Sequence, residues 1–355
     1  MMRPRRRDEG VALLLALLFV ILLSAIVVEY CYEMQVEATF VASESDELQA
    51  YVAAKSAIAA GRALLAEEVD PATRGPAGPG SSGNAVTLLD PWFTMGIPYQ
   101  PINDAIMQAR IRDEGGKLNL NALYDKENDQ PQENIVKILQ QLFKIRKVDQ
   151  DPTDAIIDWL DPNQDVQGAN GAELDTYQSL TIPYTCPDGP MHSIEELLLI
   201  RGITPEIYFG DPQIEVPDPA LSDLLTVHGD DTGKVNINTA EPQLIEAIGE
   251  AMDENSGLGE VVRQKREMEP FEDAAAIKNV LEGSGFDKSV PLFVVTSNVF
   301  RVEGQGIVGD TEPVKVLIVA YVQKGTGAGT GAGTGTGTTP VAGAGSRLLE
   351  WRVIR

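Results

Sequence analysis

A chain of 355 residues has room for a membrane segment beside one large or two modest domains. Its composition is that of a globular protein, 43% hydrophobic and 23% charged, yet acidic residues outnumber basic ones 53 to 28, for a net charge of −25. Such acidity repels phosphate backbones and anionic headgroups, suits an extracytoplasmic compartment and supplies oxygen ligands for hard cations, besides keeping a protein soluble. Cys31 stands at the edge of an apolar segment and Cys186 in a Pro-rich loop, a poor arrangement for a disulfide; with His192 and His228 as the two histidines, a His-based zinc centre is unexpected. No G-x-S-x-G, Walker or HExxH motif occurs, so no enzymatic activity is expected.

In chain order, residues 1–10 form a short leader with Arg3, Arg5, Arg6 and Arg7, ending in Gly10. Val11 to Val28 carries no charge and would span roughly 27 Å as a helix. Basic residues ahead of it place the N-terminus in the cytoplasm and the bulk of the chain outside. The end of the run, "SAIVVEYC", lacks the small-residue pattern of a secretory cleavage point. Nothing stops the helix there: between Val11 and Asp70 there is no proline and one glycine, Gly61. Leu48, Tyr51, Val52, Ile58, Leu64 and Leu65 then recur at about helical spacing, which predicts one helix over 11–70, ended by Pro71.

After a Gly/Pro/Ser-rich loop, "AVTLLDPWF" and "AIMQARIRDE" read as extended, the alternation of Ala105 to Asp113 predicting a strand. Helical stretches follow at Asn134–Phe143, Pro152–Leu160, Ser193–Ile200, Pro242–Met252 and Leu258–Arg266. Strand character returns in "PLFVVTSNVFRVEGQGIV", "PVKVLIVAYVQKG" and "RLLEWRVIR", the last two separated by a Gly/Thr-rich loop, 325–345. Strands on both sides of a helical block imply a sheet interrupted by an insertion, an α+β chain.

The leader, the Gly10–Val11 junction and the apolar run resemble the type IV prepilins and their type II secretion relatives, the pseudopilins. The motifs "DEGVALLLALLFVILL", "GKLNLNAL", "IIDWLDPNQDVQGANGAE", "YQSLTIPYTCPDGPMHSIEELLLIRGITPEIY", "GKVNINTAEPQLIEAI" and "LLEWR", in that order, resemble the minor pseudopilin K family over nearly the whole chain. The resemblance implies a transmembrane and amphipathic helix (11–70), a pilin-like antiparallel sheet (71–118 and 291–355) and a large inserted all-helical, SAM/helix-hairpin-helix-like domain (119–290). It implies cleavage between Gly10 and Val11 by a prepilin peptidase, with methylation of the new amine. It also implies an inner-membrane, single-pass protein with a periplasmic globular part. Most pilins carry Glu five residues after the cut, where it neutralises a terminal amine in an apolar filament core; here that residue is Leu15. The expected function is to nucleate a short filament from its tip, with I- and J-type minor pseudopilins as partners and exported substrate and an outer-membrane channel beyond.

Other readings stay open. "SIEELLLIRGITPEIY" and "VNINTAEPQLIEAIGEAM…VVRQKREMEPFEDAAAIKNV" also resemble helix-hairpin-helix segments of membrane-anchored DNA receptors. The first has a single Gly202 at its turn; in the second, Gly257 and Gly259 are flanked by Glu250, Asp253, Glu254 and Glu260, so packing rather than nucleic-acid binding is expected. A minor pilin of a type IV pilus and an unprocessed single-pass periplasmic protein are further alternatives. "DWLDPNQDVQGANGAELD" places Asp161, Asn163 and Asp165 at alternate positions with Glu173 beyond a Gly-rich bend, a supply of oxygens suited to a structural Ca²⁺, with Asp158 a further candidate. Val166 and Ala172 break the EF-hand pattern, and a solvated acidic turn capping the preceding helix is the alternative. Asp230 and Asp231 in "HGDDTGK" form a weaker acidic turn.

Overall fold

The structure, a computed structural model, describes residues 8–67, 85–210, 219–309, 313–324 and 346–354. The first seven residues of the leader, most of the Gly/Pro/Ser-rich loop and the Gly/Thr-rich loop 325–345 lie outside the described residues.

The expected N-terminal helix is one uninterrupted element, α1 (Asp8–Glu67), 60 residues long. From Val11 to Ser45 every residue is exposed, and the first fully buried position is Ala50. The buried face is then Ala50, Ala53, Ala54, Ala57, Ile58, Gly61 and Leu65. Of the large apolar residues that marked this half in the sequence, Ile58 and Leu65 are buried, Tyr51 and Leu64 partly so, and Leu48 and Val52 are exposed. The seam is built of small side chains, which lets the helix backbone lie close to the sheet.

That sheet has five strands: β1 (Ile97–Ile102), β2 (Ala105–Asp113), β3 (Val299–Val308), β4 (Val314–Lys324) and β5 (Ser346–Ile354). They lie side by side in chain order, every neighbouring pair antiparallel. β2 and β3 pair without a break from Ala105↔Val308 to Asp113↔Phe300, although 186 residues lie between Asp113 and Phe300, so the helical block enters and leaves at neighbouring strand ends. On β3 the residues facing α1 include Gly304 and Gly306; a Cβ on Gly304 would stand 2.6 Å from the Ala54 carbonyl oxygen and 2.9 Å from Ile58. Edge strand β1 carries Pro98 and Pro101, which fits an edge, where unpaired amides are dispensable.

The segment "AVTLLDPWF", expected to be extended, is not a strand. Asp90 Oδ2 accepts the Thr87 amide at 2.9 Å and the Trp92 indole N–H at 3.1 Å, and Pro91 at the first helical position starts a one-turn helix, α2 (Pro91–Thr94). Trp92 is thereby buried edge-on against Phe300 in the core between α1 and the sheet.

The inserted block has its own core. α3 (Glu133–Ile145) buries Ile135, Ile138, Leu139, Leu142 and Phe143, one face at helical spacing. α4 (Thr153–Leu160), α5 (Leu174–Gln178), α6 (Pro205–Phe209), α7 (Leu221–Leu224), α8 (Pro242–Ala251), α9 (Leu258–Met268) and α10 (Ala274–Gly283) complete it. Ser193–Ile200 forms a 3₁₀ helix (Ile194–Leu199) with a Ser193/Glu196 capping box. Two-residue ladders accompany the helices, Leu118–Asn119 beside Leu225–Thr226 and Val235–Asn236 beside Phe293–Val294.

The two cores meet at a buried polar node. Asn236 Nδ2 donates to the Val86 carbonyl, Asp113 Oδ2 and Ser297 Oγ at 3.0–3.1 Å, and Thr239 and Ser297 also donate to Asp113 Oδ2. Burial raises the Asp113 pKa against the lowering effect of these donors.

Candidate functional site

Three features could carry function: the bare half of α1, an acidic loop after α4, and the α8–α9 hairpin. Along Val11–Val28 the side chains are apolar apart from Ser24, whose hydroxyl donates to the Val20 carbonyl at 2.8 Å, leaving no unmet hydroxyl proton for an apolar surrounding. Among the described residues this is the one helix long and apolar enough to cross a membrane. Gly10 and Val11 fall within the first turn of α1, and Leu15 is exposed.

In the acidic loop, Asp161 and Glu173 come together, and Asp158 joins them: one carboxylate oxygen from each lies within 4.8 Å of the others. All three are buried. Asp158 stands one helical turn before Asp161 on α4, and its two oxygens accept the Gln167 and Ala172 amides at 3.0 and 2.7 Å, which wraps the loop around it. Asp161 Oδ1 accepts the Asn163 amide, but Asp161 Oδ2 and both oxygens of Glu173 are buried without a hydrogen-bond partner. Asn163 accepts the Asp165 amide at 2.7 Å, and Asp165 is exposed and stands outside the group of three. Burial and the neighbouring acids push Glu173 up to about 7 and Asp158 up to about 6. A knot of buried carboxylates with orphaned oxygens is what a hard divalent cation satisfies.

The sequence placed Asp158 behind Asp161, Asn163, Asp165 and Glu173 as a candidate ligand; its i, i+3 relation to Asp161 was the available signal. Asp188, which adds to the charge at Glu173, gave no local signal. It arrives because the Pro-rich loop folds back onto α4, Gly189 donating to the Trp159 carbonyl at 3.3 Å. Trp159 in turn stacks edge-on to Tyr177 and donates to Glu196 at 3.1 Å, and Arg201 donates to the Gly171 carbonyl at 3.1 Å, fixing the loop from outside. The second acidic turn is simpler: Asp230 Oδ1 accepts the Thr232 amide at 2.7 Å, an Asx turn.

In the hairpin, a DNA-binding version would aim the amides of its G-x-G turn at a phosphate. Here the Gly257 and Gly259 amides donate to the two oxygens of Glu246 at 2.6 and 2.8 Å. The chain's own carboxylate occupies the anion position at the N-terminus of α9. The basic residues nearby are engaged as well. Arg263 pairs with Glu260 and Glu267, Lys265 with Glu269, and Arg266 donates to the Ile237, Asn238 and Ala240 carbonyls.

A membrane-length helix laid along an antiparallel meander is a pilin-like architecture, enlarged here by a helical block between its second and third strands. Residues 116–209 match the family model described as type II secretion system (T2SS), protein K. Relatives named type II secretion system protein K include that of Aeromonas hydrophila, 28% identical over 67% of this chain and 69% of its own length. That of Pseudomonas aeruginosa is 24% identical over 90% of each. A chain in the crystal structure of the GspK-GspI-GspJ complex from the enterotoxigenic Escherichia coli type 2 secretion system aligns at 17% identity. Its TM-score is 0.65 over 89% of this chain and 99% of that one, which shows a shared fold. The resemblance carried by the motifs is supported by these matches: the chain is similar to type II secretion system protein K over most of its length.

Proposed function

We propose that this chain is a minor pseudopilin of a type II secretion machine, placed at the tip of a short filament that it helps to nucleate. The observation that carries the reading is the division of α1: apolar and bare from Val11 through Val28, then clamped to the sheet from Ala50 onward. Bare apolar surface of that extent needs lipid before assembly and neighbouring helices after it. The chain would wait in the inner membrane, N-terminus in the cytoplasm and globular part in the periplasm. A prepilin peptidase would cut between Gly10 and Val11.

I- and J-type pseudopilins are the expected neighbours; GspI and GspJ share a complex with GspK in the structure that this fold matches. A head broadened by the helical block suits a position with no subunit above it. Leu15 in place of the usual Glu suits the same position, since no amine from a higher subunit needs neutralising there. Exported substrate and the outer-membrane channel would lie beyond the tip. The filled anion position at Glu246 favours this reading over a DNA receptor.

Mass spectrometry of the N-terminus of the membrane-extracted protein tests it. A methylated residue starting at Val11 is expected, with loss of processing and secretion in Gly10→Asp; an intact Met1 in the mature protein would refute the assignment.

The buried carboxylates fit a structural Ca²⁺ held by Asp161 and Glu173 with Asp158 beside them. The cation would supply the positive charge that the orphaned oxygens lack and pin the loop between α4 and α5. EDTA should lower the melting temperature and added calcium restore it; an unchanged melting temperature removes the ion from the structural account.

A further inference from the structure

A cleft opens on the face of the sheet that α1 leaves uncovered. Along β2, Ala109 and Ile111 are buried in the core beneath α1, so alternation turns Gln108, Arg110 and Arg112 to the other side. The helical block borders that side with Asp223 on α7, Glu241 ahead of α8 and Arg266 on α9. The third wall is the turn from α2 into β1, with Phe93 and Met95. Gly96 sets it there: its φ is +52°, and a Cβ would stand 2.6 Å from the Ala109 carbonyl oxygen, so the turn lies directly on β2. The space enclosed is about 500 Å³, the size of a pocket for a small ligand or a few residues of chain.

The cations around it are unevenly engaged. Lys117 is buried and paired with Glu114 at 2.6 Å, and Arg266 donates to three carbonyls. Arg112 has one long contact, 3.5 Å to Asp223, between exposed groups, which contributes little. Arg110 makes no hydrogen bond or ion pair with any described residue; Glu303, opposite it on β3, pairs with Arg301 at 2.8 Å instead. Two weakly engaged arginines thus stand beside Phe93 and Met95, 43% and 70% exposed. Arginine, aromatic residues and methionine are the types enriched at recognition surfaces. We propose that the cleft binds an extended acidic segment of the protein being exported. Its carboxylates meet Arg110 and Arg112, and an apolar side chain settles between Phe93 and Met95. Asp223 and Glu241 on the opposite wall fix the polarity, because they accept backbone amides and repel carboxylates. The rest of the surface, in a chain of net charge −25, repels such a segment, so the cleft is where it can dock. A cargo is chosen over a neighbouring subunit because the cleft faces away from α1, the element through which neighbours pack. That choice, unlike the peptide chemistry, rests on the proposed tip position.

The probe is a labelled peptide of Asp and Ser around one central Phe, added to the full chain in detergent and read by fluorescence anisotropy. Saturable binding that weakens with salt is expected. The same peptide with Asn for Asp should bind about tenfold more weakly. Arg110→Glu combined with Arg112→Glu should abolish binding, and Arg110→Gln alone, which breaks no bond in the fold, should weaken it several-fold. Met95→Ser should weaken it without altering the salt dependence. No saturable binding, or equal binding by the Asp and Asn peptides or by Arg110→Gln, overturns the proposal. The source is read in secreting cells with a photo-crosslinking residue in place of Met95. An adduct with a protein that the same cells export is expected, and its loss in Arg110→Gln. An adduct only with a neighbouring pseudopilin, or none, overturns the assignment to cargo. Peptide binding by a chain whose mature form keeps Met1 sinks the tip reading and leaves the cleft standing; correct processing at Val11 without peptide binding sinks the cleft alone.

Discussion

Glu173 holds its proton to about pH 7 in the fold, against an ordinary value of 4.5, because burial and the charges of Asp158, Asp161 and Asp188 oppose ionisation. Asp158 is raised from 3.8 to about 6 for the same leading reason. For both groups the folded pKa lies above the unfolded one, so the metal-free fold binds more protons than the unfolded chain in this interval. Their contribution is fully present below the unfolded values and is lost as pH rises through the folded ones. In chelator, the melting temperature should therefore fall between about pH 4.5 and 7. Calcium should remove that fall by replacing the protons, and Glu173→Gln should reduce it without calcium, leaving the part that belongs to Asp158. A pH-independent melting temperature for the chelated wild-type protein would contradict this. Asp161 and Glu173 were legible in the sequence as acids around a tight bend. The cluster as a whole was not, because Cys186 and Asp188 reach it through a fold-back that no local spacing records.

At the scale of elements, the contact between α1 and the sheet depends on what is missing from it. Ala50, Ala54 and Ile58 pass over Gly304 and Gly306, and a Cβ on Gly304 would press on the Ala54 carbonyl at 2.6 Å. Neither backbone has a flexible end that can yield. Gly304→Val should cost about 1–3 kcal/mol of stability, read as a lower denaturation midpoint with an unchanged slope. An unaltered midpoint would mean that the helix can ride higher at no cost. The strand Ala105–Asp113 was readable from alternation alone, and its bounds match. The α1 seam was not: a search for large apolar residues finds Leu48 and Val52, which are exposed, and passes over the alanines that make the contact. The hairpin shows the same limit. Its glycines were visible, but Glu246, eleven residues before Gly257, fills the turn from the preceding helix.

At the scale of the molecule, two hydrophobic cores fold around separate sets of elements, one between α1 and the sheet and one inside the helical block. Asn236 joins them through Asp113, Ser297 and the Val86 carbonyl. Removing its side chain leaves buried acceptors unmet, at about 1–3 kcal/mol for such a group. Asn236→Ala should thus weaken the junction more than either core and split one melting transition into two, read by calorimetry. A single transition at a lower temperature would instead show that the cores remain one cooperative unit. An α+β chain with an interrupted sheet was legible from the order of strand and helix patterns; the polar node was not, since Asp113, Asn236 and Ser297 are far apart in sequence.

The unbroken course of α1 has a mechanical corollary. Kinks in helices arise at proline, at glycine or serine pairs, or at inserted turns, and Val11 to Glu67 contains no proline and a lone Gly61 pinned beneath Val302. The mast and the head are one stiff part with no joint between them. A thrust or twist applied at the foot arrives at the crown undamped, as through a push-rod.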